Sequence, residues 1–189
     1  LNETATRAMA VLRPLRLTVT NYPEGRTEWF EVENNPLDPS SGTRQISFSR
    51  NLWIEEEDFM EEKVGKFFRL FPGNEVRLKG TYVVKCTGCR KDDSGKVTEV
   101  FCEYDPQSRG GNPADGRKIK STIHWVDAGY CCEGQIRLYD TLFSDPEPDA
   151  AGKNFLECLN PDSLQVLDGC KLEMSLKDAK PGDSYQFMR

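Results

Sequence analysis

Three residues of this chain have the types and spacing that could support redox, metal or catalytic chemistry. Cys86 and Cys89 form a CxxC pair, and His124 is the only histidine. Structural zinc takes four cysteine or histidine ligands, so the CxxC pair is half of such a site. No second CxxC pair exists, and Cys131 and Cys132 are adjacent, a spacing that suits one tetrahedral ion poorly. The sequence favours packed free thiols and leaves a zinc-stabilised barrel as an alternative.

The segment around His124 predicts a strand with one polar, cationic face. At a period of two residues, Ile119, Ile123 and Trp125 share one face, and the opposite face carries Lys118, Lys120, Thr122 and His124. Neighbouring cations disfavour a bound dication. The chain also lacks a Gly-x-Ser-x-Gly elbow, a phosphate-binding glycine loop and a His-Glu-x-x-His motif. We therefore expect His124 to have a surface or hydrogen-bonding role, and we expect neither catalytic nor metal-binding residues.

Composition and charge narrow the class of protein. The chain has 189 residues, a net charge of -6 and seven cysteines. An odd number of cysteines without an export signal indicates reduced thiols and a cytoplasmic location. No apolar run approaches the roughly 20 residues of a membrane span, so we expect no membrane partner. The N-terminus lacks an initiator Met, which suggests an internal start.

The pattern of secondary structure is that of a β-sandwich or β-barrel. Alternating segments such as LRLTVTNY, EVRLKGTYVVK and GQIRLYDTLF are separated by loops rich in glycine, proline, asparagine and aspartate. One exception is residues 55–73, where apolar residues at near-helical spacing, acidic first turns and basic last turns predict a helix. A second short helical piece is expected in GKNFLECLN, before Pro161.

Basic residues gather in one part of this acidic chain. Between Val64 and Arg90 six cations accompany a single acid, Glu75; the cations are Lys66, Arg69, Arg77, Lys79, Lys85 and Arg90. The strand period places Arg77 and Lys79 on one face and apolar residues on the other. Basic side chains on a β scaffold with several aromatics suit single-stranded nucleic acid, where phosphates attract cations and unstacked bases contact planar groups.

Several longer segments resemble one protein family in order and spacing. They are SRNLWIEEEDFMEE, GNEVRLKGTYVVK, NPADGRKIKSTIHWV, IRLYDTLFSDPEP and SLKDAKPGDSYQFMR. The whole chain resembles the C-terminal anticodon-binding region of bacterial-type glutaminyl-tRNA synthetases. The resemblance implies a mainly β fold of two antiparallel six-stranded β-barrels, of a type also found in a ribosomal protein, with one or two short helices. The proximal barrel would combine both chain ends, and the distal barrel would come from the middle.

The same resemblance implies which residues contact the three anticodon bases. The second base, a uridine, would be met by Arg7, Gln186 and Arg189. Arg69 would meet the third base, a guanine, whose O6 and N7 suit a bidentate guanidinium. Arg77 and Lys79 would meet the first base. Phosphate contacts are expected from Lys66, Lys118 and Lys120.

The resemblance also implies what the parent protein does and what this chain lacks. Related chains continue beyond the QFMR motif, so the last proximal-barrel strands and the N-terminal catalytic domain are expected to be missing. The parent would be a glutamine-tRNA ligase that uses ATP and Mg²⁺. This chain would hold no cofactor. It would bind glutamine tRNA as a monomer and would not bind DNA. A glutamyl-tRNA synthetase of archaeal or eukaryotic type and a barrel without a synthetase are the alternatives.

Several departures from the family pattern bear on these assignments; Lys66 stands where the pattern often has a glutamine, and Phe68 replaces a familiar lysine. Lys79 is a point donor where familiar members carry a second arginine, so first-base contacts are expected to be looser. Leu37 lies where some members place an RNA-facing asparagine. We therefore leave the loop NNPLDPSSG out of the predicted interface.

Overall fold

The computed structural model describes residues 3–150 and 152–188, and its regular structure consists of β-strands and short 3-10 helices. The strands are β1 (Thr6–Ala8), β2 (Ala10–Val11), β3 (Pro14–Val19), β4 (Glu28–Glu33), β5 (Thr43–Phe48), β6 (Asn51–Glu55), β7 (Glu75–Leu78), β8 (Val83–Lys91), β9 (Val97–Tyr104), β10 (Thr122–Ile123), β11 (Val126–Asp127), β12 (Cys131–Tyr139), β13 (Leu164–Glu173) and β14 (Tyr185–Phe187). The 3-10 helices are Pro39–Ser41, Glu56–Asp58, Pro106–Ser108, Phe155–Cys158 and Met174–Leu176. Within the two described ranges there is no α-helix.

A mixed seven-stranded sheet forms the middle of the molecule. Its strand order is β10-β7-β8-β9-β3-β6-β11, and the β4–β5 hairpin is a separate two-stranded sheet. Alternating residues of these strands face a common core, as in β7, where Val76 and Leu78 are buried and Arg77 is half-buried. Phe48 lies at the centre of that core, in edge contact with the rings of Tyr22, Phe30, Tyr82 and Trp125.

The two ends of the described chain meet. β1 pairs in parallel with β14, and β2 pairs antiparallel with β13. β13 also forms a long antiparallel hairpin with β12. The buried Glu173 at the end of β13 accepts a hydrogen bond from the backbone N–H of Met9 at 2.8 Å, which fixes the β1–β2 junction against this hairpin.

The mainly β fold is confirmed, with pairings that an antiparallel barrel does not contain. Three strand pairs are parallel: β1 with β14, β10 with β7, and β3 with β9. The short helical turn before Pro161 is present as Phe155–Cys158. No helix among the described residues is long and apolar enough to cross a membrane.

The predicted helix over residues 55–73 is wrong. Only Glu56–Asp58 is helical, as one 3-10 turn, and the chain then folds back so that Phe59 and Leu70 form an isolated parallel bridge. Backbone hydrogen bonds join Met60 N–H to the Leu70 carbonyl and Leu70 N–H to the Asp58 carbonyl. The apolar spacing misleads because Val64, one of the residues that suggested it, is 71% exposed.

Of the two roles expected for His124, the surface role is wrong and the hydrogen-bonding role is confirmed, because its Nε2 lies 3.4 Å from Glu55 Oε1. The exposed fraction of His124 is 4%, and the neighbouring Trp125 is buried as well. β10 contains only Thr122–Ile123, so the period of two ends before His124. Both consecutive side chains are buried in the short connection between β10 and β11.

Candidate nucleic-acid interface

The parallel pairing of β1 with β14 brings two predicted base-contacting residues side by side. Arg7 and Gln186 are direct register partners. They line a surface groove of about 360 Å³ together with Lys79. Three residues from distant parts of the sequence therefore share one groove, because both chain ends and the end of β7 meet there.

Gln186 carries a polar atom that is not satisfied within the described protein. Its Oε1 is buried and accepts no hydrogen bond from any residue in the described ranges. A buried acceptor without a donor costs roughly 1–3 kcal/mol. An N–H donor that reached this oxygen would recover the loss.

The loop that the sequence excluded from the interface forms one wall of this groove. Pro36 and Leu37 line it, and Leu37 is 67% exposed. The loop is held against β1 because Arg7 N–H donates to the Asn34 carbonyl at 2.6 Å and Asn35 Nδ2 donates to the Glu3 carbonyl at 3.0 Å. Its apolar residues can pack against the face of a base. The family resemblance pointed to this position, but Leu37 was left out because an apolar residue replaces the asparagine of some members.

Phe187 is a further groove residue that sequence reasoning missed. It follows Gln186 in β14 and is 42% exposed at the groove. Aromatic rings at such positions stack with unpaired bases. The signal was present in the QFMR motif, where the aromatic residue directly follows the predicted glutamine.

Lys79 occupies a crowded cationic position. Burial lowers its pKa, and the nearby charges of Arg7 and Arg44 lower it further. Arg44 is itself neutralised by the buried Glu173, with Nη2 and Oε2 3.0 Å apart. The groove continues past Lys79 along a second cavity with apolar walls from Met9, Val32, Ile46 and Met188. Lys79 and Arg7 therefore repel each other in the groove.

Arg69 lies in a different, acidic cavity. Its Nη1 is 3.0 Å from Asp58 Oδ1 and donates to the Glu57 carbonyl at 3.3 Å. The cavity has a volume of about 110 Å³ and is lined by Glu55, Glu57, Asp58, Arg69, Thr122, Ile123 and His124. Three carboxylates beside one arginine make a poor phosphate site, whereas a neutral base edge is compatible with them.

His124 forms the inner wall of this cavity, between two carboxylates. Its Nε2 lies 3.4 Å from Glu55 Oε1, and its Nδ1 lies 3.9 Å from Asp58 Oδ2. Glu55 also accepts hydrogen bonds from the backbone N–H groups of Leu12 (2.6 Å) and Arg13 (3.0 Å). Burial alone would raise the pKa of Glu55, but the hydrogen bonds from His124, Leu12 and Arg13 outweigh it and lower that pKa.

Arg77 does not share the groove with Lys79. Its Nε donates to the Gly111 carbonyl and its Nη1 donates to Thr122 Oγ1 at 3.2 Å. The loop 105–121 therefore covers part of the guanidinium. The two residues predicted to contact the first base extend from the same strand region into different surroundings.

Comparison with known proteins identifies the family. Residues 5–105 match the anticodon-binding domain of class I tRNA synthetases (E and Q), and residues 122–189 match a second family profile with the same description. The chain belongs to this family. It is an anticodon-binding domain of class I Glu/Gln-type tRNA synthetases, and the groove and the acidic cavity are its candidate RNA contacts.

Curated relatives of this anticodon-binding domain carry the name glutamine–tRNA ligase. The chain is 56% identical over 189 residues to the protein of Clostridium perfringens, and 52% identical over 189 residues to that of Bradyrhizobium diazoefficiens. Each match covers 100% of this chain and 34% of the relative. The protein of Clostridioides difficile is 54% identical over 181 residues, or 96% of this chain and 33% of the relative. The chain spans about a third of the length of these relatives.

The remaining predicted residues of the anticodon-binding domain lie on its surface or outside the described ranges. Lys66, Lys118 and Lys120 are exposed, and none forms an ion pair with a residue in ranges 3–150 and 152–188. Arg117, next to Lys118, is different, because it binds Glu75, Asp105 and Asp115 at 2.9–3.0 Å. Arg189 lies outside the described residues.

Proposed function

We propose that this anticodon-binding domain recognises the anticodon loop of glutamine tRNA as part of a glutamine-tRNA ligase. The parent enzyme would attach glutamine to its tRNA with ATP and Mg²⁺, and these cofactors would act in a part of the polypeptide outside this chain. The family match supports tRNA binding, and the names of the relatives support glutamine as the amino acid. The chain by itself would catalyse no reaction.

The observation that carries this proposal is the Arg7–Gln186 pair with its unsatisfied amide oxygen. A uridine presents an N3–H donor between two carbonyl acceptors. Gln186 Oε1 would accept from N3–H, and the guanidinium of Arg7 would donate to a uridine carbonyl. Cytidine reverses the donor and acceptor positions at N3 and C4, so it would leave Gln186 without its donor. The pair therefore suits the uridine at the second anticodon position, with Arg189 as a proposed third partner.

Arg69 would contact the third base, and this contact separates glutamine from glutamate. Guanine offers O6 and N7 as two acceptors for a guanidinium, whereas cytosine presents an amino donor. Glutamate anticodons end in cytosine, so a glutamyl-tRNA synthetase would gain nothing from Arg69. The acidic walls of the cavity also favour a base edge over a phosphate.

The other proposed contacts have lower specificity. Arg77 and Lys79 would meet the first base from two sides, and the single-point donor Lys79 would allow either pyrimidine. Lys66, Lys118 and Lys120 would contact phosphates.

We also propose that the chain is divided into a distal barrel, formed by the middle of the chain, and a proximal barrel, formed by both ends. The seven-stranded sheet of β3 and β6–β11, and the meeting of β1 and β2 with β14 and β13, support that division.

An anticodon transplant tests the proposed function. Two tRNA transcripts with the same glutamate-tRNA body would carry either the glutamine or the glutamate anticodon. The chain should bind the transcript with the glutamine anticodon roughly tenfold or more tightly in a fluorescence-anisotropy titration, because single base contacts are worth about 1–3 kcal/mol. Equal binding of the two transcripts would reject anticodon recognition, and preference for the glutamate anticodon would favour a glutamyl-tRNA synthetase.

A further inference from the structure

Arg69 requires a partner within the protein if it is to discriminate between bases. It lies in the irregular segment between Asp58 and Leu70, and its side chain is 48% exposed. A long exposed arginine samples many rotamers, and bidentate recognition requires one orientation of the planar guanidinium. Something must therefore hold the guanidinium before RNA arrives.

Asp58 contacts Arg69 in a way that leaves one recognition edge open. The contacts of the guanidinium with Asp58 Oδ1 and with the Glu57 carbonyl both use Nη1. Nε and Nη2 form no hydrogen bond with any residue in the described part of the chain. These two nitrogens form one complete side of the fork, which can donate two parallel hydrogen bonds to a pair of acceptors. The carboxylate thus orients the guanidinium without occupying its binding edge.

The surrounding protein fixes Asp58 itself. Its side chain is 9% exposed, and its carbonyl accepts the Leu70 N–H at 2.9 Å, which ties it to the residue next to Arg69. Its Oδ2 faces His124 Nδ1 at 3.9 Å, while Oδ1 faces Arg69. His124 is in turn placed by Glu55 at the end of β6. A line of four side chains, Glu55–His124–Asp58–Arg69, therefore runs from the sheet to the surface.

We propose that Asp58, backed by the buried His124, is a positioning residue that orients Arg69 for the third anticodon base. This inference rests on the proposed anticodon recognition and adds to it a reason for the discrimination. Asp58 acts through Arg69 and touches no base. It also gives the lone histidine a role, as the buried side chain that lies against the Asp58 carboxylate and restricts its movement.

The experiment measures discrimination at two anticodon positions in Asp58→Asn, Arg69→Ala and the double variant. The chain is titrated with glutamine tRNA transcripts carrying guanine or cytosine at the third position, and uridine or cytosine at the second. Asp58→Asn should reduce third-base discrimination roughly five- to tenfold and leave second-base discrimination unchanged. In the Arg69→Ala background, Asp58→Asn should have no further effect on third-base discrimination, because Asp58 acts only through that arginine.

A second variant keeps the inference testable if Asp58→Asn does not fold. His124→Gln preserves the carboxylate and should lower third-base discrimination by roughly threefold, again only when Arg69 is present. Asp145→Asn, which breaks a surface pair with Lys153, is the matched control and should change neither position.

The possible failures can be told apart. Wild-type third-base discrimination in folded Asp58→Asn and His124→Gln, with its loss in Arg69→Ala, would overturn the positioning role and leave the proposed function intact. Tighter binding of Asp58→Asn to both transcripts would also overturn it, since Asp58 would then compete with the base. Absence of discrimination at both positions in the wild-type chain would remove the proposed function and this inference together.

Discussion

At the residue scale, the groove contains a lysine, Lys79, that is repelled by two neighbouring arginines. Lys79 has a lowered pKa because it is partly buried and lies near Arg7 and Arg44. Burial and the two neighbouring cations destabilise the charged form of Lys79, so this charge lowers the stability of the free protein. The proposed RNA contact would offset this loss.

Lys79→Met should change stability and RNA binding in opposite directions. The free energy of unfolding should rise slightly because the repulsion with Arg7 disappears. RNA affinity should fall by roughly five- to tenfold, because a contact of about 1 kcal/mol or more is lost. Urea unfolding and tRNA titration measure the two effects.

The matched control is Lys85→Met, on β8, where Lys85 is exposed and lies outside the groove. It should leave tRNA binding close to that of the wild type. A loss of stability in Lys79→Met without a change in affinity would contradict the role given to Lys79.

The candidate residues could be predicted only in part from the sequence. Arg7, Gln186 and Lys79 followed from the family resemblance, and the structure brings them into one groove. The burial of His124 was missed because its carboxylate partner Glu55 is 69 residues away along the chain. Local alternation contains no information about such a partner.

At the element scale, Glu55 stabilises the bend between β2 and β3 through hydrogen bonds. It accepts both N–H groups of Leu12 and Arg13 and lies beside His124. These hydrogen bonds favour the ionised carboxylate, so the pKa of Glu55 in the fold is below its ordinary value of 4.5. A carboxyl group with a lowered pKa stabilises the fold above its unfolded pKa and loses that contribution as the pH falls through the folded pKa.

The free energy of unfolding should therefore fall as the pH is lowered below about 4.5, and Glu55→Gln should make this fall less steep. At pH 7 the variant should lose roughly 1–3 kcal/mol, because hydrogen bonds to a charged acceptor are stronger than those to an amide. Urea unfolding between pH 3 and about 7 measures both effects.

Glu103→Gln replaces an exposed glutamate of β9 and serves as the control, with a pH profile expected to match the wild type. An unchanged slope in Glu55→Gln would show that Glu55 does not contribute to acid unfolding.

Two adjacent glycines in the loop 105–121 differ in their contact with Arg77, although both have a left-handed backbone. Gly110 and Gly111 both have positive φ, at 86° and 91°. A Cβ at Gly110 would meet nothing within 4 Å, whereas one at Gly111 would lie 2.7 Å from Arg77 Cδ. The loop 105–121 thus requires glycine at both positions but packs against Arg77 at only one.

Gly110→Ala and Gly111→Ala should each destabilise the fold by about 1 kcal/mol, because both alanines must adopt a left-handed conformation. Only Gly111→Ala should also displace Arg77 and weaken tRNA binding, by roughly threefold or more. Thermal unfolding and anisotropy titration of both variants check this. Equal binding by the two variants would show that Arg77 does not contact RNA from its present position.

The element boundaries show where sequence patterns fail. Strands such as β7 follow the period of two, and their faces were predicted correctly. Residues 55–73 have the spacing of a helix, but Gly65 takes a positive φ and the burial of Phe59 and Leu70 closes a loop instead. The burial of these two side chains outweighed the local helix propensity. A local sequence pattern cannot show which of the two contributions is larger.

At the scale of the whole molecule, an acidic protein must offer RNA a local basic surface. The net charge is -6, but Lys66, Lys118 and Lys120 are exposed and form no ion pair within the described ranges. Arg117 is excluded from this surface by its three carboxylate partners, although it is adjacent to Lys118 in sequence. Pairing within the protein therefore separates Arg117 from the three lysines that we propose as phosphate contacts.

Lys120→Ala should weaken binding to all anticodon variants alike and lower the slope of log K against log salt by about one, because one phosphate contact is lost. Lys153→Ala is the control, since Lys153 is paired with Asp145 in the connection between β12 and β13. Titrations between about 50 and 200 mM salt measure the slopes. An unchanged slope in Lys120→Ala would remove this lysine from the interface.

The fold class was predictable from the sequence, and the meeting of the chain ends was not derivable from local pattern. Alternation indicates strands but does not say which strands pair. The Arg44–Glu173 pair spans 129 residues and the Met9–Glu173 hydrogen bond spans 164, so both depend on tertiary contacts between remote segments. The family resemblance supplied the expectation that both ends belong together.

Recognition of the second anticodon base is the central claim, and one titration tests it most directly. Wild-type chain and Gln186→Ala would be titrated with two glutamine tRNA transcripts that differ only in uridine or cytosine at that position. The wild type should prefer uridine by roughly tenfold or more, and Gln186→Ala should lose most of this preference while retaining its affinity for the cytosine transcript. Equal affinity of the wild type for the two transcripts would contradict the account.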